Sequence, residues 1–174
     1  DLPNLDLDIA SAYRRAGIDM RIISDDEVFA PTEAGDDLKW DESELHNAME
    51  HHFSQWRDGS QWKLYLLIAT HFRLYPEMLV TGVMYDNQYR DANDVYPRQG
   101  VAAFFSSMTM LWEDMPSAEF DRNYLRTCVH ELGHALNLLH SFDKDRPEST
   151  SWMNYPWRYP YGYNLPPGWD GSRD

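Results

Sequence analysis

The spacing of apolar and polar positions divides the chain into helical and extended stretches. Over residues 5–16, Ile9, Ala12, Tyr13 and Ala16 share one helical face, and Gly17 is placed to stop the helix. Met20-Arg21-Ile22-Ile23 reads as a strand that runs into the acidic Asp25-Asp26-Glu27, and residues 31–37 read as a loop. Asp41 or Ser43 is placed to cap a second helix to about Arg57, with Leu45, Met49, His52, Phe53 and Trp56 on its inner face. Asp58-Gly59-Ser60 is a turn. Trp62 to Thr70 is apolar on both sides, which predicts a central strand, and Thr81–Tyr85 and Val101–Ser107 read as two more. Residues 120–140 carry Leu125, Cys128, Val129, Leu132 and Leu136 at spacings of three and four, a helix packed into a core. The order of helix, strand, helix, three strands and helix predicts an α/β (α+β) sandwich around a mostly parallel mixed sheet. After residue 155, Pro156, Pro160, Pro166, Pro167, Gly162 and Gly168 exclude a long helix.

Composition narrows the function classes. A chain of 174 residues fits one domain with a real core. It is 43% hydrophobic and 25% charged, with a net charge of −14, which argues against nucleic acid and anionic membrane surfaces as partners. No apolar run approaches the ~18 residues of a membrane span. The single cysteine, Cys128, excludes an intrachain disulfide and is expected as a small core residue. The first residue is Asp1 and no signal peptide is visible, as expected of a mature or excised fragment. The polar stretch 86–99 offers Asp86, Asp91, Asn93 and Asp94 as oxygens for calcium, but at no EF-hand spacing, and a solvated loop is the plainer expectation.

The chemistry concentrates in the helix of 120–140. His130-Glu131-Leu132-Gly133-His134 has the H-E-x-x-H form, and positions four apart on a helix share a face. His130 and His134 can therefore address one ion, with Glu131 beside them as a base. His140 is the candidate third ligand. An unbroken helix would carry it roughly 240° away from His134, so the chain must reverse first, and Asn137 suits a left-handed residue at the helix end. Three protein nitrogens leave a fourth position for water, the pattern of a catalytic zinc. Cys128 lies about 200° round the helix from His130 and is not expected to bind. His46, His51, His52 and His71 have no partner at ligand spacing.

His130 to His140, followed by Ser151-Trp152-Met153-Asn154-Tyr155, resembles the metzincin zinc peptidases, with H-E-x-x-H-x-x-G-x-x-H and a downstream Met-turn. Asn137 stands where that family has Gly. The resemblance implies one catalytic Zn2+ on His130, His134 and His140, Glu131 as general base, and Met153 packed beneath the metal. As in astacin-like and serralysin-like members, it implies that Tyr155 can bind the zinc and swing to stabilise the oxyanion. It implies a twisted mixed sheet with two long helices above the cleft, an upper subdomain of about 1–137, and a small irregular lower subdomain of about 138–174. The family's first strand would be displaced or missing here. A C-terminal helix is not visible, so the lower subdomain is reduced or the chain stops early. A protein or peptide substrate would add as an extended strand, with Val101–Phe105 as the candidate edge and 156–163 as a pocket wall. The protein would be a secreted (extracellular or periplasmic) monomer. Other readings are an inactive binding module of the same fold, a carbohydrate-binding or adhesion domain suggested by 7 Trp and 11 Tyr, and a peptidase with Glu148 as third ligand.

Overall fold

The computed structural model describes residues 7–23, 28, 30–56, 62–74, 78–86 and 98–158. Helix α1 spans Ile9–Arg14. It starts later than the apolar spacing predicts because Asp8 caps it: its carboxylate accepts from the Ser11 N–H at 2.6 Å, and its own N–H donates to the Ser11 hydroxyl at 2.8 Å. Gly17, at φ +80°, ends this segment as expected. Met20–Ile23 forms no strand. Ile22 and Ile23 are 67% and 68% exposed, and among the described residues no strand pairs with their backbone.

A 3-10 turn at Pro31–Ala34 replaces the expected loop and leads to β1, Lys39–Trp40. Helix α2 is Glu42–His52, capped reciprocally by Asp41 and Glu44. It ends at Phe53, whose backbone is extended, short of Arg57. Strands β2 (Tyr65–Ala69), β3 (His71–Phe72), β4 (Gly82–Val83) and β5 (Gly100–Phe104) follow. Helix α3, Phe105–Leu111, occupies a stretch whose start had read as strand, and α4 runs Ser117–Ala135. The turn expected at 58–60 and the segment 159–174 lie outside the described residues.

The main sheet has the order β2-β5-β4, with β5 parallel to β2 and antiparallel to β4; β1 and β3 form a separate parallel pair. Two expectations are thereby corrected. Among the described residues, Trp62–Thr70 supplies an edge strand, not the central one. Val101–Phe105 supplies the central strand and no free edge. The apolar run of β2 reflects helices on both faces of the sheet, and such a run does not tell an edge from a centre.

Successive residues of β5 point to opposite faces. Ala102 and Phe104 join Leu45, Met49 and Phe53 of the α2 layer, while Val101 joins Leu125, Val129 and Leu132 of α4 with Tyr13 of α1. Burying Phe104 completely contributes about 1.5–3 kcal/mol. The expected pair of long helices above one cleft is not what is seen: α4 carries two of the three candidate histidines, and α2 lies on the far face. The coarse class, mixed helices with small sheets, is as expected. Among the described residues, no helix is long and apolar enough to cross a membrane.

Candidate metal centre

The site begins where α4 stops. Leu136 is the last near-helical residue, and Asn137 turns left-handed at φ 62°. The Asn137 N–H then donates to the His134 carbonyl at 2.9 Å and the Leu138 N–H to the Gly133 carbonyl at 3.0 Å. These two bonds make a Schellman ending, which satisfies carbonyls the helix leaves open. The reversal carries His140 back beside the face of α4 that holds His130 and His134.

The three Nε2 atoms lie 3.1 Å (His130–His134), 3.2 Å (His130–His140) and 3.2 Å (His134–His140) apart. Their outer nitrogens fix the tautomers. His130 Nδ1 donates to the Trp152 carbonyl at 2.7 Å, and His134 Nδ1 donates to the Leu138 carbonyl at 2.9 Å. His140 Nδ1 faces the Asp143 carboxylate at 3.4 Å. A ring whose Nδ1 carries the proton presents a lone pair at Nε2. His130 and His134 thus aim lone pairs at the point His140 also faces, an arrangement that is repulsive until a cation sits among them. Burial holds His130 neutral, pushing it down to about 3, and pushes His134 down as well. Neutral imidazole is the form that ligates metal. The three histidines can hold a metal ion.

Glu131 follows His130 on α4 but is not one of the three grouped donors; it is buried against Gly82 of β4, and burial pushes its carboxyl up to about 8 against the opposing effects of Arg126 and of the Met84 backbone N–H. Met153 is buried directly under the helix: a Cβ on Gly133 would collide with its sulfur, so only glycine admits it. That function of Gly133 went unread in the sequence, although a glycine inside a helix costs about 1 kcal/mol and so calls for a packing reason. Asn154 pins the turn. Fully buried, its side-chain amide donates to the Pro147 and Ser149 carbonyls at 2.8 and 2.7 Å, and the Ser141 N–H donates to the Met153 carbonyl at 2.8 Å.

Tyr155 stands against the cluster, its ring centre 5.0 Å from His140 and 5.7 Å from His130. Phe142, also unread, stacks on His140 at 4.7 Å and 10°, and carries the Arg158 guanidinium 4.2 Å over its ring. It fixes the imidazole that no helix holds.

The remaining candidates stay apart. His46 lies 3.1 Å from Glu50 and 3.7 Å from Asp86, His52 meets Glu33 at 2.9 Å, and His71 meets Ser107 at 3.1 Å, while His51 is exposed. Cys128 is a buried thiol, pushed up to about 12 by burial. Glu148 is exposed and outside the histidine group. Of the calcium candidates, Asp86 is buried and accepts from the Gln99 N–H at 2.8 Å, while Asp91, Asn93 and Asp94 lie outside the described residues.

Asn137 gives a direct test of the reversal. Asn137→Gly is expected to keep metal affinity, because glycine enters the left-handed region without cost. Asn137→Val puts a β-branched residue there at about 1–3 kcal/mol, so affinity measured by chelator competition should fall roughly tenfold or more. Equal affinity in the valine variant would show that the reversal does not place His140.

Set against family models, curated proteins and solved structures, the chain matches none. The reading of the site rests on its own residues.

Proposed function

We propose that this protein is a zinc-dependent endopeptidase, similar to metzincins in its site. The carrying observation is the convergence of three Nε2 atoms with two tautomers fixed by carbonyls. Their 3.1–3.2 Å separations are close to the about 3.3 Å expected of two nitrogens on a tetrahedral zinc. The likeness is one of motif, turn and Met-turn; the placement of α2 differs.

Zinc held by His130, His134 and His140 would supply Lewis acidity toward a peptide carbonyl and lower the pKa of water toward about 7. Glu131 takes a proton from the attacking water and delivers it to the leaving amine. A cation nearby favours its carboxylate form over the protonated form that burial alone imposes. Tyr155 donates a hydrogen bond to the oxygen that gains charge. Met153, under Gly133, gives the imidazoles a close-packed floor. An extended substrate would add along an outer strand of the sheet and not along β5, both sides of which are taken.

The test is digestion of casein and gelatin by the purified chain. Activity is expected to disappear with a chelator and to return with about one equivalent of zinc per chain. Protein of verified zinc content that leaves casein, gelatin and a proteome-derived peptide library uncut would overturn the proposal.

A further inference from the structure

Strand β4 packs against α4 at Thr127 and Glu131. A Cβ built on Gly82 would lie 2.7 Å from Glu131 Cγ, 2.9 Å from Glu131 Oε1 and 2.7 Å from Thr127 Cγ2. Real Cβ atoms do not come so near, so the strand approaches this closely only because residue 82 has no side chain. Thr127 and Glu131 are four apart on α4 and form the two walls of a notch. The Thr127 hydroxyl turns away to the Asn123 carbonyl at 3.0 Å.

Two residues along, the Met84 backbone N–H donates to the Glu131 carboxylate. The pairing of β4 frees that amide. The Phe104 N–H donates to the Thr81 carbonyl at 2.8 Å and the register pairs Gly82 with Ala103, so over 81–84 the odd-numbered residues bond β5 while Gly82 and Met84 face outward.

We infer that β4 is the positioning element for Glu131: Gly82 admits the strand into the notch and the Met84 amide holds the carboxylate in one place against the strand. This rests on Glu131 being the general base. Neither Gly82 nor Met84 touches substrate in this role; both act through Glu131. Because the atoms a Cβ at Gly82 would meet first belong to Glu131 and Thr127 and none to an imidazole, the effect is separable from metal binding.

The test is Gly82→Ala in the zinc-loaded chain. Turnover is expected to fall between about tenfold and 10²-fold, with KM within about twofold and zinc stoichiometry unchanged. Adding Thr127→Ser removes the methyl that meets the new Cβ while keeping the hydroxyl, and should restore part of the lost turnover. Wild-type turnover in Gly82→Ala, loss of its zinc, or no recovery in the double variant would each overturn the inference. A second readout does not need activity. The Met84 amide proton, followed by NMR, should exchange at least about tenfold faster in Glu131→Ala than in wild type. Unchanged exchange overturns the seat even where Gly82→Ala does not fold. A wild type that cleaves nothing but shows this protection would fail the peptidase reading alone.

Discussion

His140→Ala is expected to cost far more metal affinity than the roughly 10–100-fold of an outer-shell change, because it removes one of three ligands outright. In the variant, His130 and His134 still present two nitrogens 3.1 Å apart, too few to close the site. The fold should survive, since His140 lies beyond the end of α4 with its side chain 22% exposed. The measurement is chelator competition on protein of known metal content, with thermal unfolding alongside. At a zinc concentration 100 times Kd, the wild type should gain about 2.7 kcal/mol, and the variant almost none at that same concentration. Equal affinity in the two proteins would remove His140 from the site and call for another donor.

The elements that could be read ahead of the structure are those fixed locally. His130, Glu131 and His134 follow from helical period alone. The reversal at Asn137 follows from the need to return His140 and from the tolerance of asparagine for positive φ. What could not be read depends on partners distant in sequence. Met20–Ile23 has strand-forming residues but, among the described residues, nothing to pair with. Phe105–Leu111 is rich in Ser, Thr and Phe, which favour helix weakly, and becomes α3 by packing Met108 into the core. The central place of β5 shows only in its two neighbours. Gly133 and Gly82 are legible as glycines, but their reasons lie in Met153 and Glu131, 20 and 49 residues away. The aromatic support of His140 by Phe142 is of the same kind.

Glu131→Gln is expected to lower turnover by about 10²–10⁴-fold, the usual contribution of general acid–base catalysis, while one metal ion per chain is retained. Glutamine fills the same space and can still accept from the Met84 N–H, but it cannot carry the proton. Cleavage by a verified variant at the wild-type rate would take Glu131 out of the mechanism. The same substitution has a second consequence in metal-free protein, with a sign that can be worked out. An unfolded Glu131 ionises near its ordinary value of 4.5, whereas in the fold burial keeps it protonated to about 8. Between these values the folded state binds the extra proton, so stability falls as pH rises. Below 4.5 both states are protonated and the penalty vanishes; above 8 it is constant. Glutamine has no such dependence. The Tm of metal-free Glu131→Gln minus that of metal-free wild type should therefore grow by roughly 5 °C or more from pH 5 to pH 8. A constant difference would mean that the carboxylate is already charged in the fold, stabilised by Arg126 and the edge of β4 before any cation arrives. The base would then be preset by the protein alone, and metal binding would leave its protonation unchanged.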